Sequence, residues 1–215
     1  MFEQIKKQIV GFFDKNSSHD LDHTMRVYNM CIYIGKKEWA DLEILEIASL
    51  MHDIWRPKQH ETKGRICHAE YWAILTKKIL EDLWLEKEKI DHVVDCISTH
   101  RFRKWNNPET LEAKILFDAD KLDSIWAVWI WRAFMYANEV GARLHNDKDT
   151  NLENTKEHSS EDTAFREYMF KLIKVKDKLF TQTAKNMAKK KHKTMVRFFD
   201  SLNEETWETK ELFEK

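Results

Sequence analysis

The sequence predicts an all-α fold, and three observations lead to that prediction. Apolar residues recur at helical spacing along almost the whole chain, and no stretch alternates like a half-buried strand. Only 4 glycines and 2 prolines occur, too few punctuating residues for a many-stranded sheet. The 215 residues suit one domain with a sizeable core. We therefore expect a single domain over residues 1–215, built as a bundle of about seven to nine helices.

The first three helices are predicted from apolar faces and capping residues. The second helix follows the polar run NSSHD, whose Asn, Ser and Asp side chains are typical N-caps. The third is strongly apolar, begins at the capping residue Asp41 and is stopped by Pro57. The first helix has one apolar face, which consists of Phe2, Ile5, Ile9, Phe12 and Phe13.

Helical spacing continues along the rest of the chain. CHAEYWAILTKKILEDLW and EKEKIDHVVDCISTHRF predict a fourth and a fifth helix, and the segment from NPETLEAK to MYANEV predicts one long or broken sixth. Residues 141–162 are polar and predict a long loop, which in a compact domain is usually functional or disordered. Two C-terminal helices are expected within residues 163–202, at about 163–180 and 182–202.

Charge is balanced overall and uneven locally. The chain has 36 Lys and Arg against 37 Asp and Glu, so its net charge indicates neither a nucleic acid nor a membrane as partner. From Lys171 to Arg197, however, nine lysines and one arginine stand against one aspartate, a net of about +9. A solvated helix face is the favoured interpretation of this segment. A surface that attracts anions is the alternative, with nucleic acid as a less favoured partner.

Cysteine usage and the absence of membrane signals predict a cytoplasmic protein. The three cysteines, Cys31, Cys67 and Cys96, are widely spaced and odd in number, which argues against a disulfide framework and fits a reducing compartment. The N-terminal stretch carries charges within its apolar pattern and does not resemble a signal peptide. No apolar run approaches the length of a membrane span, so we expect no membrane association.

Histidines and carboxylates recur where apolar helices are expected to be buried. His52 and Asp53 end the apolar third helix, where a carboxylate is costly unless it is paired or bound to a metal. His23, His68 and His100 would come from the second, fourth and fifth helices. The sixth contributes Asp120. Imidazole with carboxylate suits Mn, Fe, Co, Ni or Zn. By spacing alone, a metal site and a chance grouping of histidines remain open alternatives.

A set of motifs carries a specific resemblance. HDLDHTMRVY, LMHDIWRP, CHAEYWA, STHR and EAKILFDADKLDS occur in this order. Together they resemble the HD-domain superfamily of metal-dependent phosphohydrolases, whose signature is a histidine, a His-Asp pair and a later aspartate. The C-terminal stretch from KLIKVKDK to FFDSLNEE is similar to the tail of small stand-alone bacterial and archaeal HD proteins of predicted hydrolase function. This resemblance covers nearly the whole chain and implies an HD-domain helical bundle with its core at about 17–140.

The resemblance implies roles for particular residues. The family signature falls on His23, His52, Asp53 and Asp120, which would bind a divalent ion (Mn, Fe, Co, Ni, Zn or Mg) and leave a second ion open. The catalytic residues would be His68, His100 or Asp123 as the proton carrier, and Lys121, which adjoins Asp120 and would contact phosphate. Substrate phosphate would be bound by Arg26, Arg56 and Arg101, since each lies within about a helical turn of a proposed ligand. Asp118 and Asp123 are expected to support the site or to face solvent.

The implied reaction is hydrolysis of a nucleotide or another small phosphorylated metabolite by attack of a metal-bound water. Two alternatives from other classes stay open, namely a di-iron HD-type oxygenase and a non-catalytic HD binding module. A homodimer is also open. Family members commonly place small residues where this chain has Trp126, Trp129 and Trp131. Core packing or a protein–protein contact is the favoured explanation for these tryptophans, and an aromatic wall on which a nucleobase stacks is the alternative.

Overall fold

The computed structural model describes residues 2–9, 21–53, 68–101 and 107–208, and within these ranges the chain is helical without a strand. The predicted fold class is therefore confirmed. The helices are α1 Phe2–Ile9, α2 Leu21–Glu38, α3 Leu42–Met51, α4 His68–Asp82, α5 Lys87–Thr99, α6 Leu111–Asp123, α7 Ala127–Glu139, α8 Ala164–Phe170 and α9 Gln182–Asn203. Short 3-10 turns lie at Leu152–Asn154 and Leu172–Asp177, and a π-helical turn at Glu204–Glu208.

The chain forms two compact units. The first consists of residues 1–120 with 180–184, and the second of residues 121–179 with 185–215. The assignment of residues 1–215 to one domain stays a prediction. No helix in the described ranges combines the length and the apolar character needed to cross a bilayer.

In the first unit, α1, α2 and α5 pack against α3, the most apolar helix of the unit. Seven of the ten residues of α3 are buried, so this helix is enclosed nearly all round. Asp41 caps its start as predicted, since its carboxylate accepts hydrogen bonds from Glu43 N (2.9 Å) and Ile44 N (3.3 Å). Gly35 of α2 lies so close to the Leu45 side chain that a Cβ would clash with it. A glycine therefore allows α2 and α3 to approach closely.

The second unit has an aromatic core. The rings of Tyr168 and Phe199 are stacked at 4.2 Å between centroids, and Phe165 meets Trp207 edge-on at 5.5 Å. Such pairs add to the stability that burial of the rings alone gives. The core thus joins α8 to the end of α9 and to the π-helical turn that follows it.

Two predicted helices are interrupted. The sixth is broken, because α6 ends at Asp123 and α7 starts after Trp126, whose backbone is extended (φ −140°). At the break the Ser124 hydroxyl donates to Lys121 O (2.6 Å), so it bonds a carbonyl at the end of α6. The helix expected at 163–180 is also wrong in extent, since α8 ends at Phe170 and is followed by a 3-10 turn.

The polar segment 141–162 is a loop, as predicted, and buried hydrogen bonds hold it in place. His145 Nε2 lies 2.9 Å from the Asn203 side-chain oxygen, and Trp207 Nε1 donates to Asn146 O (2.9 Å). The Asn146 amide donates to Glu161 O (3.1 Å) and accepts from the Thr163 hydroxyl (2.5 Å). The expectation of a disordered segment is therefore not met, because this loop has its own buried polar cluster.

Candidate metal centre

The centre starts at the end of α3. His52 and Asp53 directly follow Met51, the last residue of this buried helix, and they are 0% and 2% exposed. A carboxylate and an imidazole are therefore fixed where water cannot solvate them. Such a placement requires compensation by a partner of opposite charge or by hydrogen bonds.

Two other helices bring further donors to the same place. His23 lies in the first turn of α2 and Asp120 near the end of α6, and both are buried. His23 Nε2 is 3.4 Å from His52 Nε2, 3.5 Å from Asp120 Oδ1 and 3.7 Å from Asp53 Oδ2. Donor atoms of His23, His52 and Asp120 all lie within 4.8 Å of one another. Residues nearly 100 positions apart in the sequence thus converge.

Backbone contacts fix which nitrogen of His52 faces the cluster. Burial, together with the neighbouring His23 and His100, lowers the pKa of His52 to about 4, although the carboxylates of Asp53 and Asp120 oppose this shift. The ring is therefore neutral at pH 7. Its Nδ1 lies 2.7 Å from Ser49 O, which can only accept, so Nδ1 carries the proton. His52 Nε2 then presents a lone pair toward His23, as a metal ligand must.

His100 is oriented in the same way at the end of α5. Its Nδ1 lies 2.5 Å from Ile97 O and so carries the proton. Its Nε2 is 3.8 Å from Asp53 Oδ1, and its ring centre is 5.5 Å from that of His52. With 1% exposure, His100 is a buried neighbour of the His-Asp pair. The structure thus brings this predicted catalytic residue to the same cluster.

The donor set fits a divalent cation. Separations of 3.4–3.7 Å around His23 Nε2 exceed ordinary hydrogen-bond lengths. They agree with the spacing of two ligands that are each about 2.1 Å from a shared ion, which is about 3.4 Å at a tetrahedral angle. The lone pair of His52 Nε2 and the carboxylate oxygens of Asp53 and Asp120 also surround His23 Nε2, and a cation stabilises such a group of acceptors.

The part of the chain that contains this cluster matches a known protein family. The HD-domain family model matches residues 20–125, a range that contains every residue of the cluster. A curated relative, the uncharacterized protein YpgQ of Bacillus subtilis (strain 168), is 34% identical over 208 residues, which make up 94% of this chain and 92% of that protein. This chain belongs to the HD-domain family.

Solved structures agree with the family assignment. The crystal structure of Bacillus subtilis YpgQ in complex with ADP is 29% identical, with a TM-score of 0.73 and coverage of 96% of this chain and 98% of that one. An HD-superfamily hydrolase from Bacillus thuringiensis is 27% identical, with a TM-score of 0.70 and coverage of 94% and 96%. The HD-domain likeness thus extends over nearly the whole chain.

The remaining residues that were predicted for the site differ in their exposure. Arg26, in α2, and Arg101, which follows His100, are partly exposed. Lys121 is partly exposed and Asp123 is buried, both in the last turn of α6. Arg56 lies outside the described residues, as does the side chain of His68, the first residue of α4. The roles of these residues stay predictions.

Asp118 has a different environment from Asp120. Its carboxylate is fully buried and accepts hydrogen bonds from Phe180 N (2.8 Å), Thr181 N (2.7 Å) and the Thr181 hydroxyl (2.7 Å). The alternative in which Asp118 faces solvent is wrong. Asp118 holds the segment that leads into α9, and the sequence alone did not indicate this partner.

Arg132 was missed by the sequence reasoning. This residue of α7 is 9% exposed, and its Nη1 lies 3.8 Å from Asp123 Oδ2, while its guanidinium stands 5.7 Å from the centre of the Trp129 ring. An arginine inside the apolar run AVWIWRAF was the available signal, because a charge on such a helix needs a buried partner. Trp129 therefore lies beside an ion pair.

The other two tryptophans are not core residues. Trp126 is 42% exposed and Trp131 is 71% exposed, so core packing is wrong as their explanation. Lys191 Nζ stands 4.2 Å from the centre of the Trp126 ring, at cation–π distance. No described contact places either ring in a ligand pocket, and the aromatic wall stays a prediction.

Proposed function

We propose that this HD-domain protein is a metal-dependent phosphohydrolase that acts on a nucleotide. The observation that carries the proposal is the convergence of donor atoms of His23, His52 and Asp120 within 4.8 Å of one another, with Asp53 Oδ2 3.7 Å from His23 Nε2. Membership of a family that includes HD-superfamily hydrolases supports the reaction class. The ADP complex of the relative YpgQ supports a nucleotide ligand.

The chain supplies the ligands for a divalent cation. His23 and His52 would provide two imidazole nitrogens, and Asp53 and Asp120 two carboxylates, which together favour a transition metal over calcium. Such an ion, when bound, lowers the pKa of a coordinated water and polarises phosphoryl oxygens. Ser49 O keeps the His52 ring in the required tautomer, since it accepts a hydrogen bond from Nδ1–H.

His100 is our choice for the residue that takes the proton from the attacking water. Its Nδ1 is already bonded to Ile97 O, so Nε2 is the atom that can accept a proton. Asp53, 3.8 Å away, would stabilise the imidazolium that results. Water oxygen would then bond to phosphorus as the bond to the leaving phosphate or alcohol oxygen breaks.

Arginines near the ligands would hold the substrate phosphates. Arg26 follows His23 by three residues in α2, so the two side chains share a helix face, and Arg101 directly follows His100. Guanidinium groups bind phosphate in a bidentate manner, and they neutralise charge that builds up during hydrolysis. We propose Arg26 and Arg101 for this task, together with Arg56 from the sequence analysis.

The decisive experiment compares two aspartates of the first unit. Asp53→Ala should lose bound metal and hydrolysis of nucleoside mono-, di- and triphosphates assayed with Mn, Co, Ni and Mg. The control, Asp22→Ala, removes an exposed carboxylate beside His23 and should retain both. Metal is measured by mass spectrometry of the purified protein and hydrolysis by phosphate release. An Asp53→Ala protein that keeps its metal and its turnover would refute the proposal.

A second experiment separates two roles for His100. If it accepts a proton, His100→Ala keeps its metal but loses turnover, and the acidic limb of the pH profile, along which activity rises as the imidazole loses its proton, changes. If His100 instead binds a second ion, the metal-to-protein ratio falls. Metal content and the pH profile of turnover, measured on the same preparation, distinguish these results.

A further inference from the structure

Two tryptophans of the first unit project almost completely into solvent. Trp39 follows the end of α2 and is 92% exposed, and Trp84 lies beyond the end of α4 and is 93% exposed. Both have backbone angles in the left-handed region, with φ of 62° and 60°. This combination of a very large apolar side chain, full exposure and a glycine-type backbone occurs twice at helix ends.

Neither tryptophan is explained by folding. Ala40 N bonds to Gly35 O (3.0 Å) and Leu85 N to Leu80 O (3.2 Å), the six-to-one hydrogen bonds that end a helix in a left-handed residue. Glycine is the residue that adopts this conformation without strain. Each tryptophan therefore strains the backbone, and its exposed ring gains little from packing within the chain. Tryptophan is, in contrast, enriched at the energetic centres of protein interfaces.

The two turns lie at the same end of the first unit. The Trp39 turn leads into α3, and the Trp84 turn leads into α5. The first turns of these helices are joined, because Lys89 Nζ of α5 lies 2.7 Å from Glu43 Oε2 of α3. The cluster residues His52 and Asp53 follow the opposite end of α3, and His100 follows the opposite end of α5. A partner at the tryptophan turns would therefore leave the metal centre accessible.

Charges of opposite sign flank the two rings. Lys36 and Lys37 are exposed in the last turn of α2, beside Trp39. Glu81 and Asp82 are exposed at the end of α4, beside Trp84. None of the four side chains forms an ion pair with another residue in the described ranges. Glu38 and Asp41, the carboxylates nearest Trp39, accept hydrogen bonds from Thr183 N and from the first turn of α3 instead. Two lysines thus stand beside Trp39 and two carboxylates beside Trp84, and we call these six residues the tryptophan end.

We propose that the tryptophan end binds a second copy of this chain. In a two-fold interface each contact occurs twice, so the Trp39 turn of either copy meets the Trp84 turn of the other. Lys36 and Lys37 then face Glu81 and Asp82 in both halves of the interface. A second copy is the occupant that this pattern favours, because the surface is complementary to itself. The inference is independent of the proposed hydrolysis.

Sedimentation velocity over a wide concentration range tests the proposal on the full chain. Trp39→Gly and Trp84→Gly should each raise the dimer dissociation constant about tenfold or more. Their thermal midpoints should stay equal or rise, because glycine relieves the left-handed strain. Trp39→Asn and Trp84→Asn, which also tolerate this backbone, provide a second pair. Trp131→Ala is the control, since this exposed tryptophan belongs to the second unit and should leave association unchanged.

Charge reversal tests the pairing itself. Lys36→Glu with Lys37→Glu, and separately Glu81→Lys with Asp82→Lys, should weaken association, and the four changes together should restore it. A wild-type chain that stays monomeric throughout the concentration range overturns the proposal. So does a dimer that both glycine variants leave unchanged, or a fourfold variant that fails to recover.

Discussion

Two buried polar clusters of this protein differ in what holds them together. In the first unit, His23, His52 and Asp120 gather donor atoms at 3.4–3.5 Å from His23 Nε2. In the second unit, the loop residues His145 and Asn146 make hydrogen bonds of 2.5–3.1 Å. Both clusters are buried, so burial by itself does not distinguish a functional site from a structural one.

The chemistry of the side chains accounts for the difference. An amide or a hydroxyl offers both donors and acceptors, so the loop cluster satisfies itself and fixes the loop. Ionised carboxylates and the His52 Nε2 lone pair only accept, and acceptors that face one another call for a cation. A buried polar cluster therefore indicates a metal site when its atoms are mostly acceptors at ligand spacing. It indicates a structural role when its donors and acceptors form hydrogen bonds with one another.

The largest expected effect is the loss of metal from a ligand variant. His52→Ala should lower metal affinity more than about 100-fold and reduce phosphate release to background, because residues that only orient ligands already change affinity about 10–100-fold. His145→Ala should keep metal and activity and instead lose about 2 kcal/mol of unfolding free energy. Calorimetric metal titration and urea unfolding measure the two quantities. Equal metal affinity in both variants would contradict the distinction.

Asp118 and Asp120 allow a structural carboxylate and a proposed metal ligand to be compared within a single helix, α6. Asp118→Ala should lose about 3 kcal/mol of unfolding free energy, since it removes the acceptor for three hydrogen bonds to Phe180 and Thr181. Asp120→Asn, two residues away, should mainly lose metal. Urea unfolding and metal analysis of both proteins check this. If Asp118→Ala were as stable as wild type, its carboxylate would not be the structural group described above.

Metal should stabilise the first cluster without affecting the second. At a metal concentration about 100 times its dissociation constant, the folded chain should gain about 2.7 kcal/mol of unfolding free energy. His145→Ala should show the same gain and His52→Ala none. Unfolding curves with excess chelator and with excess Mn provide the measurement, and a gain that persists in His52→Ala would place the binding elsewhere.

Acid should destabilise the metal-free protein through His52. Its folded pKa, about 4, lies below the unfolded value of 6.5, so the unfolded chain binds more protons between these values and folding stability falls with falling pH. The contribution is about 2 kcal/mol between pH 7 and pH 5. Urea unfolding with chelator at both pH values measures it. In His52→Ala this part of the pH dependence should disappear, and its persistence would assign the effect to other groups.

Local features of the fold were predictable from the sequence. Helical class follows from the spacing of apolar residues, and the Asp41 cap follows from a side chain that acts on its own neighbours. The break at 124–126 was only one of two alternatives, because IWAVWIW is apolar throughout and does not show where a helix stops. Exposure of Trp126 and Trp131 was not predicted, since hydrophobicity favours burial whatever the real neighbours are.

The sequence by itself determined the all-α class, the resemblance to the HD-domain family and the types of ligand available. Only the tertiary structure decided which partners each carboxylate meets. The family motif singles out Asp120 and leaves the role of Asp118 open; in the fold Asp118 meets backbone N–H groups 62 and 63 residues away, whereas Asp120 meets the imidazole of His23. The physical reason is that a buried charge takes its role from its partners, and folding chooses these partners from distant parts of the chain.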